Sequence, residues 1–177
     1  SNPQMDAIKV ALAEVIKDRI TFFTQLASPK SISLSQDVLE DNLEVEFDHD
    51  RIMQVLNNLI SNAIKFTANG GIITISGYKV SSLTEMKWRF KENIPEVQRE
   101  TKPMIVVSVS DSGIGIPADK ISDLFSKFKQ LRPMDANNQG TGLGLVIAKG
   151  IIESHGGNIY VQSHVAEGTT FYFTLPV

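Results

Sequence analysis

Residues 104–116 constrain the fold more than any other stretch. A nearly unbroken apolar run, Met104 through Val109, leads through Ser110 to an acid and two alternate glycines, Asp111-Ser-Gly-Ile-Gly-Ile116. Such a run predicts a buried strand. A strand that ends in a carboxylate and a glycine turn is a natural edge for a ligand. Asp111 by itself has two readings. It is either an Asx-type turn cap, common before Ser-Gly, or a carboxylate that accepts a hydrogen bond from an exocyclic amine.

The rest of the chain alternates helices and strands. Residues 5–26 predict an amphipathic helix, with Ile8, Leu12, Val15, Ile16, Phe22, Phe23 and Leu26 at helical spacing. Ser28-Pro29 stops it. Short strands follow at 30–34 and 43–47, the second alternating Leu43, Val45 and Phe47 with Glu44 and Glu46. Asp48 or Asp50 can cap a helix over 50–66. Its broad apolar side carries Ile52, Val55, Leu56, Leu59, Ile60, Ala63 and Phe66; a narrower stripe carries Gln54, Asn58, Ser61, Asn62 and Lys65. Asn69-Gly70-Gly71 is a turn, and residues 72–80 form a strand.

Residues 81–102 read as an excursion between two strands, a long hairpin or loop holding mixed charges and Trp88, the single tryptophan. Pro117 suits the first turn of a short helix over 118–125. Residues 126–141 lack hydrophobic period and read as a long loop. A helix over 143–154 ends at His155-Gly156-Gly157, and strands at 159–163 and 169–175 close the chain. Strands in sequential hairpins with helices between them predict an α/β two-layer sandwich, a mixed and mostly antiparallel sheet with helices on one face.

Composition removes several classes of function. The net charge of −3 gives no reason to expect nucleic acid or a membrane surface as partner. The absence of cysteine excludes a disulfide framework and thiolate metal sites, and fits a cytoplasmic setting. No apolar run approaches the roughly 20 residues of a membrane span. The chain reads as one domain, and as a piece of a longer protein whose attachment to a membrane stays open.

Two further patterns carry chemistry. Gly140, Gly142 and Gly144 precede or open the 143–154 helix, where free N–H groups favour an anion. The run lacks the GxxxxGK[ST] pattern of a P-loop. It also lacks the preceding strand and distal acid of a dinucleotide turn. On the 50–66 helix, Asn58, Asn62 and Lys65 point the same way. That stripe is either a solvated face or a set of amide oxygens for a hard cation, with Lys65 for phosphate charge.

Together these stretches resemble the catalytic and ATP-binding domain of sensor histidine kinases. That domain belongs to the Bergerat-fold ATPases, which include gyrase and the Hsp90 chaperones. The resemblance covers roughly residues 30–177. Asn58-Leu-Ile-Ser-Asn62-Ala-Ile-Lys65-Phe-Thr67 looks like the asparagine box, and Asp111-Ser-Gly-Ile-Gly-Ile116 like the first glycine box. Leu124-Phe125-Ser-Lys-Phe128 looks like the phenylalanine box, and Gly140-Thr-Gly-Leu-Gly-Leu145 like the second glycine box. The closing strands match as well.

The resemblance implies roles. Asp111 would accept the adenine amino group, with Gly113, Gly115 and Ile116 in the turn beside the base and Thr170 near the same end. Asn62, with Asn58, would face Mg²⁺ and the phosphates. Lys65 would bind phosphate and Phe66 would line the pocket. Residues 126–141 would be a lid, closing through Gly140, Thr141, Gly142, Leu143, Gly144 and Leu145. Lys129 and Arg132 in that lid are candidate γ-phosphate contacts. Hydrolases of the superfamily carry a glutamate general base four residues before the Mg²⁺-binding asparagine. Asn58 stands there, so the resemblance implies transfer of the γ-phosphate of Mg-ATP to a histidine. None of His49, His155 and His164 has the acceptor's sequence context. The acceptor would lie in a separate dimerisation domain, with residues 1–28 as a first helix or the tail of its hairpin, and a response regulator would act downstream. An ATP hydrolase, a protein serine kinase of the same fold and a nucleotide-binding interaction module are the alternatives.

Overall fold

The computed structural model describes residues 7–94, 102–125 and 141–177. Five strands form one sheet: β2 (Ser33–Leu39), β4 (Ile72–Val80), β5 (Met104–Asp111), β7 (Gly168–Pro176) and β6 (Asn158–His164), in that order across the sheet. Only the β2–β4 pair is parallel; β4–β5, β5–β7 and β6–β7 are antiparallel. Helices α1 (Leu12–Ala27), α2 (His49–Phe66) and α4 (Thr141–Ser154) contribute to the core on one face of it. The mixed, mostly antiparallel two-layer sandwich is therefore as the sequence predicts.

The central position of β5 follows from its composition. Ile105, Val107 and Val109 point into the helix layer, while Met104 and Val106 join a second apolar cluster on the outer face. A strand buried on both faces is uniformly apolar rather than alternating. Helix α2 fills the other side of the main core with Ile52, Val55, Leu56, Leu59 and Ile60, none of them exposed. Burying each such side chain contributes about 2 kcal/mol. Its ends are held by side chains. Asp48 accepts from Asp50 N at 3.1 Å and Arg51 N at 3.3 Å, a cap worth about 1 kcal/mol. The Lys30 ammonium donates to Ile64 O at 2.8 Å, a cation on the carbonyl end of the helix dipole.

Three expected elements need correction. The helix expected over 5–26 begins only at Leu12. Ala7–Ala11 is instead a strand, β1, paired antiparallel with β3 (Glu44–Asp48). Pairing with a partner strand outweighs the weak helical preference of five residues. Ile8, Phe22 and Leu26, which recur at helical spacing with the buried residues, are exposed. The strand expected at 30–34 lies at Ser33–Leu39, because Ser28–Lys30 continues as a 3₁₀ turn. The helix expected over 118–125 is only α3, Ala118–Ile121.

Of the hairpin and the loop that the sequence allows after β4, the structure has the loop. Its described part, residues 81–94, crosses the outer face of the sheet through two 3₁₀ turns, Leu83–Glu85 and Lys91–Asn93. Three of its backbone N–H groups donate to side chains of three strands: Lys87 N to Tyr78 Oη at 3.0 Å, Arg89 N to Tyr172 Oη at 2.8 Å, and Phe90 N to Gln162 Oε1 at 3.2 Å. Trp88 lies edge-on to Tyr172, with centroids 4.7 Å apart, and packs with Leu83 and Met86 over Tyr78, Val106 and Tyr172. This layer explains why the outer face of β5 is apolar at Met104 and Val106.

Candidate functional site

The Asp111 turn is assembled by three glycines with no room for a side chain. A Cβ on Gly113 would sit 2.4 Å from Phe66 O at the end of α2. On Gly115, at φ +74°, it would sit 2.0 Å from His164 O; on Gly168, at φ +110°, it would sit 2.0 Å from Asp111 O. Glycine alone fits close approach and positive φ together. The turn is thus wedged between the C-terminus of α2 and the β6–β7 turn. Ile116 N donates to Ser163 Oγ at 2.7 Å, and Ala166 N donates to Ile114 O at 2.8 Å.

Asp111 ends β5 with its side chain on the helix face, in step with Val107 and Val109. Its Oδ1 accepts from Gly113 N at 2.9 Å and Thr169 N at 3.2 Å. Among the described residues no donor reaches Oδ2. The residue is 4% exposed. Burial pushes its carboxyl above the ordinary aspartate range; the Gly113 and Thr169 N–H donors and the Arg89 guanidinium partly offset that push.

Thr170, expected near the same end as the base, has its side chain on the other face of the sheet from the Asp111 carboxylate. Strand alternation turns it to the outer face, where its hydroxyl donates to Ser110 Oγ at 2.9 Å. Thr169 occupies the Asp111 side, its hydroxyl 2.8 Å from Ser163 Oγ. A one-residue register error moves every side chain to the other face. The two adjacent threonines gave the sequence no means to choose.

Helix α2 runs from the Asp111 turn, where Gly113 packs on Phe66 O, to the start of α4 at Gly144. Asn58 donates from Nδ2 to Gly144 O at 3.0 Å, tying α2 to the first turn of α4. Asn62 is 8% exposed, and its Oδ1 has no hydrogen-bond partner among the described residues. Leaving a buried oxygen without a partner costs about 1–3 kcal/mol, a cost that a water or a hard cation on the oxygen would remove. Such a cation takes oxygen ligands, and among the described residues no cluster of His, Cys, Asp or Glu offers an alternative site. The amide donor set therefore fits Mg²⁺ brought in with phosphate oxygens. Lys65 and Phe66 are both half-buried, with the ammonium 5.9 Å from the ring centroid. Eight residues of helix, about 12 Å, separate Asn58 at Gly144 from Phe66 at Gly113.

Helix α4 begins at Thr141, two residues earlier than expected. Leu143 is exposed at its start, whereas Leu145 is a core residue rather than a ligand contact. Lys129, Arg132, Gly140 and most of the expected lid lie outside the described residues, as does Phe128. Asn57, set aside in the sequence, accepts from Arg19 Nη1 at 3.0 Å and joins α1 to α2. His155 is structural: it stacks on Phe47 with centroids 3.5 Å apart, its Nε2 accepts from Asp48 N, and its Nδ1 lies 2.8 Å from Ile151 O. His164 Nε2 lies 3.4 Å from Glu92 Oε2, and His49 is exposed at the start of α2.

A five-stranded sheet that ends in a glycine-locked carboxylate, facing a helix with two spaced asparagines, defines a class of nucleotide-binding domain. The chain belongs to the family described as histidine kinase-, DNA gyrase B- and HSP90-like ATPases, whose profile matches residues 47–177. Its relatives include the adaptive-response sensory kinase SasA of Crocosphaera subtropica, 36% identical over 98% of this chain and 40% of that protein. Another is the sensor histidine kinase WalK of Bacillus subtilis, 34% identical over 86% of this chain and 22% of that protein. The chain thus spans well under half the length of these relatives. Among solved structures it resembles the catalytic domain of the histidine kinase ThkA, with a TM-score of 0.73 and 31% identity. That likeness covers 97% of this chain and 96% of the ThkA domain.

Proposed function

We propose that this domain binds Mg-ATP and transfers its γ-phosphate to a histidine on a separate dimerising helical hairpin, in two-component signalling. The observation that carries this reading is a pair of side-chain oxygens with no donor among the described residues, Asp111 Oδ2 and Asn62 Oδ1, on a turn and a helix that meet where Gly113 packs on Phe66 O. Oδ2 takes the adenine amine, with Gly113, Gly115 and Ile116 shaping the turn beside it. Thr169, in place of Thr170, supports the same carboxylate. Asn62 and Asn58 face Mg²⁺ and the phosphates, Lys65 adds positive charge, and Phe66 lines the pocket. Lys129 and Arg132 are the cations proposed for the γ-phosphate, and Gly144 lies beside Asn58 at the phosphate end.

Bound Mg-ATP supplies an electrophilic phosphorus and ADP as leaving group; the acceptor imidazole nitrogen takes the phosphoryl group and gives up its proton. Nothing at Asn58 favours hydrolysis: an amide has no useful basicity, and this one is engaged with Gly144 O. The chain's own three histidines are structural or lie at the surface, which supports an acceptor outside residues 1–177. Strand β1 and helix α1 pack as part of the catalytic unit, with Val10, Leu12, Val15 and Ile16 in its main core. A response regulator is the downstream partner, since a ThkA structure is a complex with the response regulator TrrA. The setting is cytoplasmic; among the described residues no helix is long and apolar enough to cross a membrane.

The test supplies a cognate hairpin with labelled ATP and assays acid-labile phosphohistidine. Labelling of the hairpin that is lost with Asn62→Ala is expected. Steady ATP hydrolysis without the hairpin, at a rate that the hairpin does not change, would overturn the transfer reading in favour of the hydrolase.

A further inference from the structure

Behind Asp111, on the face of the sheet away from the helices, lies the Arg89 guanidinium. It comes from the excursion, the part of the chain with no counterpart among the ATP-site motifs. Its Nη1 donates to Ser110 Oγ at 2.7 Å and to the carbonyl of Asp111; its Nη2 donates to Glu167 O at 2.8 Å. These acceptors belong to two segments, the end of β5 and the turn before β7. The same two segments set the position of the adenine-reading carboxylate. Asp111 carries it, and Thr169, two residues after Glu167, donates its N–H to Oδ1. Between them Gly168 packs directly on Asp111 O.

We propose that Arg89 is a positioning residue for adenine recognition, stapling the Asp111 and Glu167 carbonyls together from the outer face and so fixing the carboxylate on the inner face. This rests on the reading of the Asp111 turn and α2 as an ATP site. Arg89 is well suited to the task. A planar fork reaches several fixed acceptors with little loss of freedom, and its acceptors here are a hydroxyl and two backbone carbonyls rather than a carboxylate. Its backbone is also fixed, by Tyr172 Oη on Arg89 N and Gln162 Oε1 on Phe90 N. The guanidinium lines a cavity of about 450 Å³ on the outer face, with Asp37, Lys87, Ser108 and Tyr172. It acts from solvent-accessible ground, so its effect is moderate: loss of two or three such bonds corresponds to roughly a 3- to 10-fold change in affinity.

The proposal makes the excursion part of the nucleotide site. The test measures dissociation constants of wild type, Arg89→Met and Arg89→Lys for ATP and for GTP, with thermal unfolding of each protein without nucleotide. Arg89→Met is expected to weaken ATP binding about 3- to 10-fold and leave the weaker GTP binding unchanged, so that the ATP/GTP ratio falls. Arg89→Lys, which keeps the charge and some donors, should recover part of the loss. Where Arg89→Met does not fold, Ser110→Ala, which removes one acceptor of the fork, carries the test with a loss of about 2- to 3-fold in the same ratio. An unchanged ratio in the folded variants, or equal losses for ATP and GTP, overturns the proposal. Failure of the ATP-site reading shows separately, as an Asp111→Asn variant that binds ATP as well as the wild type does.

Discussion

At the Asp111 end of the site the backbone is locked. Gly113, Gly115 and Gly168 leave no space for a methyl group, and Oδ1 holds two N–H donors. At the Asn62 end the corresponding atoms are slack. A Cβ on Gly144 would meet its nearest neighbour, Asn58 Oδ1, at 3.4 Å, and Asn62 Oδ1 has no partner among the described residues. The first end owes its shape to close packing; the second, in the proposed reading, takes its shape from the ligand. A base has to be read by rigid geometry, whereas phosphates bring their own charge and cation. The same residue type, glycine, therefore serves two purposes in one site.

Alanine separates them. Gly168→Ala should cost more than about 3 kcal/mol, through a clash with Asp111 O and a forced positive φ. Gly144→Ala, inside a helix at ordinary contact distance, should stay within about 1 kcal/mol of wild type, with helix propensity in its favour. Denaturant unfolding checks both. Comparable losses would erase the contrast between the two ends.

Asp111 sharpens the contrast through pH. Its folded-state carboxyl titrates above its unfolded value, because burial disfavours the charge. The cost to stability is therefore fully present above the folded pKa, and it is relieved as pH falls through that value toward the unfolded one. Asp111→Asn should unfold no earlier than wild type at pH 7, and the difference between them should close on acidification; thermal melts across pH 3–7 would show it. ATP affinity of the wild type should move the opposite way and fall as the same carboxyl protonates. A variant markedly less stable at neutral pH would mean that the carboxylate serves the fold.

Much of this site was legible because its signals are local. The helical period separated the Asn58, Asn62 and Lys65 stripe from the core face of α2, and the run into Asp111 marked the central strand. What the sequence hid depends on partners distant in the chain. β1 is a strand only because β3 pairs with it. The choice between Thr169 and Thr170 is a matter of which residue bonds to Asp111. Leu145 reads as part of a glycine box until α4 is seen packed in the core. The excursion gave no periodic signal at all, since Lys87, Arg89 and Phe90 are held by backbone donors to Tyr78, Tyr172 and Gln162 rather than by a face of their own.

Smaller effects are expected at the slack end. Asn62→Leu removes an orphaned buried oxygen, so the nucleotide-free fold should be unchanged or up to about 1 kcal/mol more stable. The Mg²⁺ dependence of ATP binding should disappear at the same time. Calorimetry with and without Mg²⁺ distinguishes this from a simple loss of packing. Lys65→Met, at a half-exposed ammonium, should weaken ATP only about 2- to 5-fold and leave adenosine binding unaltered.

The most direct measurement is a calorimetric titration of the wild-type domain and Asp111→Asn with Mg-ATP. Saturable binding by the wild type, weakened about 10- to 100-fold in the variant by loss of a charge-assisted bond to the base, is the expected result. Equal affinity in the two proteins, or no binding by the wild type, would contradict the assignment of an ATP site read by Asp111.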